Sequence, residues 1–528
     1  MDTQVTSEPK KVTYVTLLAD ESIHPRYEAA LKEIERDFGK HHPMFINGKQ
    51  VLASGGEFEL RSPLDTSILL GYFQKGTSEF ARKAIEAANE GFDAWSNKPW
   101  TERIRIIRKA ADIIQKRQFY LAALVTYEVG KNRYEAIAEV NEAADMFTYY
   151  ARLMEENDGY VKPMDHVVSN ERSKSVLRPY GVWAVVSPFN FPLALAAGMI
   201  AGALITGNTV VFKPTSEAPF SGLKLYEILV EAGVPGNAIN FVTGPGSSFG
   251  PEFASNPAVA GIAFTGSKDV GMQLYRDFVN KQPYPKPFIS EMGSKNPAII
   301  TSKADLDKAA EGVIRGAYGY GGQKCSATSR VYVERGVEND FLQILKSKVK
   351  KIAVVGDPRQ KTTFVGPVID EKAVKKYQRA VEMARKDGKI LVGGEAPQSS
   401  LPKGFYVTPT IVTGLPSNHK LMKEELFVPF VAVDEFTTLG EALKKANDTE
   451  FGLTAGIFSE DPGEQKQFFG GINFGVTYAN RKGGATTGAW PSAQPFGGWK
   501  GSGATGKGVG GPYYLLQFMR EQAQTVVE

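Results

Sequence analysis

From Tyr180 onward, short runs of wholly apolar residues alternate with longer segments of helical spacing, and this rhythm constrains the fold more than any other feature of the chain. GVWAVVSP reads as a strand and FPLALAAGMIAGALITG as a helix. NTVVFKP is a strand and PFSGLKLYEILVEAG an amphipathic helix. AINFVTG and AGIAFTG are further strands, each followed by a glycine-rich turn and a helix. Strand and helix alternating at this spacing make parallel βαβ units. Strands apolar on both faces are buried on both faces, as a parallel sheet between helices requires. Pockets in such sheets lie outside the carboxyl ends of the strands.

A second alternating set begins at PFISEMG and NPAIIT. It continues through a helix at 304–318, the strand RVYVERG, a helix at 336–353, VTPTIVTG, PFVAVDEF, TLGEALKKANDT and GIFSED. Two α/β domains are therefore expected, divided near 285–291, where PYPKP reads as a linker. Upstream, Tyr27, Ala30, Leu31, Ile34 and Phe38 define an amphipathic helix over 23–39. FINGKQV and FELRSP suggest a hairpin of short strands. Helices follow near 77–93, 101–128 and 130–156, and the glycine-dense stretch 472–511 is expected to form long loops.

A chain of 528 residues is too long for one ordinary core, which agrees with more than one domain. Lys plus Arg number 62 against 58 acidic residues, so the net charge of +4 gives no reason to expect nucleic acid or an anionic membrane as partner. One cysteine, Cys325, excludes a disulfide within the chain, and with five histidines it makes no case for a metal site. The first thirty residues carry five acidic groups and only Lys10, Lys11 and Arg26 as basic ones, with no long apolar stretch after them. That is neither a secretory signal nor a transit peptide, and a cytoplasmic location is expected. Residues 179–212 lack any charge and are numerous enough to span a bilayer. Pro188, Asn190, Pro192, Gly198, Gly202 and Gly207 interrupt them, and the stretch reads as strand, loop, buried helix and strand.

Cys325 stands in GYGGQKCSATS, behind Gly319, Gly321 and Gly322, which let the backbone bend sharply and approach a ligand. The loop suits a nucleophilic thiol as well as a buried small hydrophobe. No histidine lies near a glycine-rich loop, so a Cys–His hydrolase is disfavoured. Glu291, at the end of an apolar strand in SEMGSKNP, is the better base, since burial raises a carboxyl pKa toward neutrality. A salt-bridged strand-end glutamate is the alternative. Asn190, in SPFNFP, either donates to an oxyanion or forms a turn before a helix. GPGSSFG (Gly244, Gly246, Gly250) and FTGSKDVG (Gly266, Ser267, Gly271) each link a strand to a helix, as dinucleotide-binding turns do. Lys213 ends the NTVVFKP strand, within reach of a ribose or phosphate, or of solvent alone.

Taken in order, SPFNFP, NTVVFKP, GPGSSFG, FTGSKDVG, EMGSKNP, GQKCSA, EELFVP and QPFGGWKGSG resemble the motifs of the aldehyde dehydrogenase superfamily, from about residue 45 to the end. The resemblance implies a Rossmann-like NAD(P)-binding domain over 45–158 and 181–289 and a catalytic domain over 290–495. It also implies an N-terminal helical extension over 1–44, with oligomerisation segments at 159–180 and 505–528 and at least a dimer. It implies that Cys325 attacks an aldehyde, that Asn190 and the Cys325 N–H hold the oxyanion, and that Glu291 activates water against the resulting thioester. The coenzyme would contact Lys213, Ser216, Gly246, Gly250, Phe264, Ser267, Glu425 and Phe427.

NRKGGATTGAWPSAQPFGG is similar to the subgroup acting on L-glutamate γ-semialdehyde, the 1-pyrroline-5-carboxylate dehydrogenases. That likeness implies substrate contacts from Ser326, Gly488 and Ala489 to the α-carboxylate and from Phe496 to the aliphatic chain. It adds Phe189 and Lys324 to the pocket and Glu142 near the α-amino group. Other semialdehydes or sugar-derived aldehydes are the alternative substrates, and a non-catalytic protein on the same fold is the remote one. The chain departs from many NAD-specific members in carrying Ser216 where a glutamate bonds the ribose 2′-OH, with Glu217 one position later. A serine there does not repel a 2′-phosphate, so NADP as well as NAD is expected.

Overall fold

The body of the molecule is two seven-stranded sheets, joined where the chain crosses at residues 292–295. The coordinates are a computed structural model describing residues 12, 14–18, 20–397, 399–483 and 490–528. In space the first sheet runs Phe288–Glu291, Val259–Thr265, Val182–Ser187, Thr209–Pro214, Ile239–Phe241, Met44–Ile46 and Lys49–Val51. The first five strands are parallel. The last two form an antiparallel hairpin whose turn residues, Asn47 and Gly48, have φ of 53° and 71°. Two successive left-handed residues are what a two-residue hairpin turn needs, and Asn-Gly supplies them.

From Val182–Ser187 the chain winds outward to one side through Thr209–Pro214 and Ile239–Phe241. It then returns on the other side as Val259–Thr265. The order thus reverses between Val182–Ser187 and Val259–Thr265, and a crevice opens beyond their carboxyl ends. The helix Ala194–Ile205 is apolar on every face and buried at every position. Its glycines admit the C-terminal segment: a Cβ at Gly202 would lie 2.6 Å from the Phe518 ring. The uncharged run 179–212 is therefore core, and among the described residues no helix is long and apolar enough to cross a membrane.

The second sheet runs Lys389–Val392, Thr410–Thr413, Phe430–Phe436, Thr328–Glu334, Asn296–Ile300, Thr454–Phe458 and Val476–Ala479, parallel except for its first pair. Three expectations need correction. PFISEMG does not open the second sheet: Phe288–Glu291 pairs with Val259–Thr265 and forms the edge of the first, so a boundary at 289/290 cuts a strand. FELRSP does not pair with FINGKQV; Glu57–Arg61 pairs with Leu69–Gln74 in a separate three-stranded sheet. The helix expected over 101–128 is two, Trp100–Lys116 and Gln118–Val129, broken at Arg117.

The helix Arg133–Glu156 begins where Asn132 accepts hydrogen bonds from the Tyr134 and Glu135 amides. Val161–Pro163, Glu171–Pro179 and Met519–Val527 make another three-stranded sheet, the last two strands paired along nine residues.

Candidate active site

Glu291 ends the first sheet and Cys325 precedes the strand Thr328–Glu334 of the second, so the crossing of the chain brings them together. Cys325 Sγ donates to Glu291 Oε1 at 3.3 Å, and both side chains are buried. Burial pushes the Glu291 carboxyl up to about 7, opposed by the hydrogen bond from the thiol. Burial, and then the Glu291 charge, hold the thiol well above the ordinary cysteine range. The resting sulfur therefore keeps its proton, shared with Glu291 through the hydrogen bond.

The Cys325 loop is held from two directions. Upstream, Tyr320, Gly321 and Gly322 have φ of 51°, 62° and 72°, three consecutive left-handed residues. A Cβ at Gly322 would lie 2.6 Å from the Val428 carbonyl oxygen, so glycine is required there. Downstream, the Asn296 amide donates to the carbonyls of Cys325 at 2.7 Å and Ala327 at 2.9 Å. The motif SKNP contained Asn296, but its role depends on register between two strands and was not visible in the sequence.

Asn190 is buried on the loop that leaves Val182–Ser187 at the crevice. Phe191, beside it, and Tyr320, five residues before Cys325, flank one ammonium: Lys131 Nζ lies 3.5 Å and 4.9 Å from their ring centroids. The loops that carry Asn190 and Cys325 thus share Lys131 as a common neighbour. Phe264, Glu291 and Phe496 line one cavity. Phe189 packs edge-to-face on Phe427, centroids 5.9 Å apart, and Phe427 has a φ of 59°, a conformation a phenylalanine adopts only under constraint. Glu425 Oε1 accepts from the Ser294 amide at 2.7 Å, and burial raises this carboxyl to about 6. Glu425 therefore packs on the crossing segment between Glu291 and Asn296.

Four helices leave the carboxyl ends of the parallel strands, and they divide into two kinds. The amides opening Ala194–Ile205 are taken by Glu139, whose Oε1 accepts from Leu193 at 2.9 Å and Ala194 at 3.3 Å. Those opening Pro219–Ala232 are taken by Glu128, which accepts from Phe220 at 2.6 Å and Ser221 at 2.9 Å. Gly246–Ser255 and Lys268–Lys281 have no side-chain cap, and a Cβ at Gly246 would meet nothing within 4 Å. Open amides at Gly246 and Ser267 fit a pyrophosphate. Lys213 is buried with Nζ on the Pro214 carbonyl, its pKa lowered to about 8 by burial. The Ser216 hydroxyl donates to the Gly244 carbonyl at 3.3 Å, tying the loop after Thr209–Pro214 to the Gly246 turn.

Not every expected residue stands free for a ligand. Gly250 lies inside the helix Gly246–Ser255, facing Leu274, and serves helix packing. Lys324 does not offer its ammonium to a substrate: both Glu135 oxygens hold it at 2.7 Å, with the two side chains buried. Glu142 and Ser326 are buried beside these elements. Gly488 and Ala489 lie outside the described residues. Among the described residues no cluster of His, Cys, Asp and Glu has the form of a metal site.

A single thiol hydrogen-bonded to a buried carboxyl, on a doubly wound sheet with two helix N-termini uncapped by side chains, has the form of a nucleotide-linked enzyme site. Residues 51–524 match the aldehyde dehydrogenase family, and the chain belongs to that family. It is 37% identical over 524 residues to 1-pyrroline-5-carboxylate dehydrogenase 1 of Halalkalibacterium halodurans, covering 99% of each chain. The solved structure of 1-pyrroline-5-carboxylate dehydrogenase from Thermus with bound NAD is similar with a TM-score of 0.92 and 34% identity, over 99% of this chain and 100% of that one. Betaine aldehyde dehydrogenase from Staphylococcus aureus, in complex with NAD+, is similar with a TM-score of 0.88 and 29% identity, over 95% and 97% of the two chains.

Proposed function

We propose that the chain oxidises L-glutamate γ-semialdehyde, the open form of 1-pyrroline-5-carboxylate, to L-glutamate with NAD+. The observation that carries this reading is the 3.3 Å hydrogen bond from Cys325 Sγ to Glu291. Full-length similarity to 1-pyrroline-5-carboxylate dehydrogenases supports the choice of aldehyde.

The thiol passes its proton to Glu291 as sulfur bonds to the aldehyde carbon. The carbonyl oxygen takes the electron pair as an oxyanion, held by the Asn190 amide and the Cys325 N–H. NAD+, when bound, supplies the hydride acceptor. Loss of hydride re-forms the C=O and leaves a thioester on Cys325. Glu291, having shed its first proton to solvent, takes a proton from water as the oxygen attacks the thioester. The C–S bond breaks, the acid leaves and the sulfur is reprotonated. Burial suits Glu291 to this double duty, since a base with a pKa near 7 both accepts and releases protons at neutral pH.

Ser326, the backbone of Gly488 and Ala489, Phe189, Phe496 and Glu142 form the proposed anchor for the amino acid end of the substrate. NADH formation from glutamate semialdehyde, compared with succinate semialdehyde and simple aliphatic aldehydes, tests the assignment. The highest kcat/KM should belong to glutamate semialdehyde; a higher value for any of the others would reassign the substrate.

Ser216 supports NADP+ as a second coenzyme, because no carboxylate stands at that position and the neighbouring Glu217 is turned onto the Thr215 hydroxyl. Measurable turnover with NADP+ is expected. Self-association through the sheet of Val161–Pro163, Glu171–Pro179 and Met519–Val527 is also proposed: Val526 and Val527 are 61% and 63% exposed on it. Sedimentation velocity should give a dimer or larger species.

A further inference from the structure

The reaction described above uses none of four charged side chains buried between its two key loops. Lys131 Nζ meets Glu139 Oε2 at 2.6 Å, both side chains wholly buried. Lys324 meets Glu135 at 2.7 Å, again with both buried. Glu135 and Glu139 stand one turn apart on the helix Arg133–Glu156, on the same face. Each carboxylate reaches a different catalytic loop. The second oxygen of Glu139 accepts from the Leu193 and Ala194 amides, three and four residues after Asn190. Glu135 holds the side chain immediately before Cys325.

Resting on the function proposed above, we propose that Glu139 and the Glu135–Lys324 pair are positioning residues: Glu139 sets the Asn190 amide, and Glu135, through Lys324, sets Cys325. One helix thereby fixes the separation between the sulfur and the donor of the oxyanion. The chemistry of the cluster favours this over a purely stabilising role. Two Lys and two Glu make a neutral set, yet burying ions is costly, and apolar residues of the same volume often give equal or greater stability. Apolar residues do not supply a directional acceptor to two particular amides, or hold the residue before the nucleophile at a fixed distance from the helix that also holds the oxyanion loop. Lys131 completes the arrangement: its ammonium pins Glu139 while lying against Phe191, the neighbour of Asn190.

A double-mutant cycle on the full-length enzyme tests this, read as kcat for aldehyde oxidation. Glu139→Leu should lower kcat by about tenfold or more, as small misplacements at a reacting centre do. In an Asn190→Ala background, the same change should cost less than about twofold, because Glu139 acts through Asn190. Glu139→Gln, which keeps the acceptor oxygen, should restore most of kcat. The coenzyme KM should hold throughout. Lys324→Met should retain its effect in the Asn190→Ala background. It should also change the rate at which iodoacetamide alkylates the single cysteine, which the Glu139 variants leave alone. Where Glu139→Leu fails to fold, Glu139→Asp, one methylene shorter, carries the same cycle. Losses that multiply independently of Asn190, or a fully active Glu139→Leu enzyme, overturn the positioning role. Wild-type protein without aldehyde oxidation overturns the functional reading instead.

Discussion

At the scale of single residues, burial moves the pKa values of Cys325 and Glu291 upward, and a hydrogen bond aligns the two groups that share a proton in the proposed reaction. In the proposed mechanism Glu291 activates water as its carboxylate, and burial, which raises its pKa to about 7, places the gain of that form near neutrality. Activity should therefore rise with pH over roughly 6–8, and Glu291→Gln should remove that limb while leaving the thiol open to alkylation. A pH–rate profile of kcat checks this; an unchanged ascending limb in Glu291→Gln would contradict it. Asn190→Ala should lower kcat/KM by about 10²–10³, the usual cost of one oxyanion donor, with thermal stability nearly unchanged. The sequence singled out Cys325, Glu291 and Asn190 because each stands at or just beyond the end of an apolar strand or in a glycine-rich loop, and the structure brings Cys325 and Glu291 into contact. Asn296, Glu135 and Glu139 were not legible in it: their partners lie 29, 189 and 54 residues away, and no local pattern announces such contacts.

At the scale of elements, the decisive fact is which helix N-termini are closed. Glu128 and Glu139 cap the helices that follow the two central strands, and they leave the openings at Gly246 and Ser267 for a coenzyme. Glycine-rich turns made the two open ends readable from sequence. The two closed ends were hidden, because their carboxylates come from the distant helices Gln118–Val129 and Arg133–Glu156. Glu128→Leu should cost about 1–3 kcal/mol by stripping the Phe220 and Ser221 amides of their acceptor. It should also raise the coenzyme KM, since the loop of Lys213 and Ser216 runs directly into that helix. Differential scanning calorimetry and coenzyme titration check both parts, and an unchanged melting temperature would contradict the first. The strand–helix alternation was readable because βαβ periodicity is local. The placement of Phe288–Glu291 was not, since an apolar strand between two sheets carries no mark of which one it joins.

At the scale of the whole molecule, the proposed chemistry lies where the chain crosses from one sheet to the other, and buried acids there and at the Pro219–Ala232 N-terminus tie stability to pH. Glu128 and Glu291 are raised to about 7, and Glu425 to about 6, all by burial. A carboxyl raised in the folded state favours folding below its unfolded pKa, and that advantage is lost as pH rises through the folded value. The melting temperature should therefore fall between about pH 5 and 7, and Glu291→Gln should reduce the fall, by on the order of 3 kcal/mol for this group alone. Lys213 and Lys295, lowered to about 8 and 7 by burial, act in the opposite sense at higher pH. A melting temperature constant across pH 5 to 7 would contradict this balance.

That the oxidised substrate passes through a bond to Cys325 is tested most directly by mixing the wild-type enzyme with NAD+ and glutamate semialdehyde, quenching with acid within the first turnover, and taking intact-protein and peptide mass spectra. The account predicts one acyl group per chain, on the peptide containing Cys325, with a matching burst of NADH and none of either in Cys325→Ala. An acyl group elsewhere, or undiminished NADH turnover by Cys325→Ala, would contradict it.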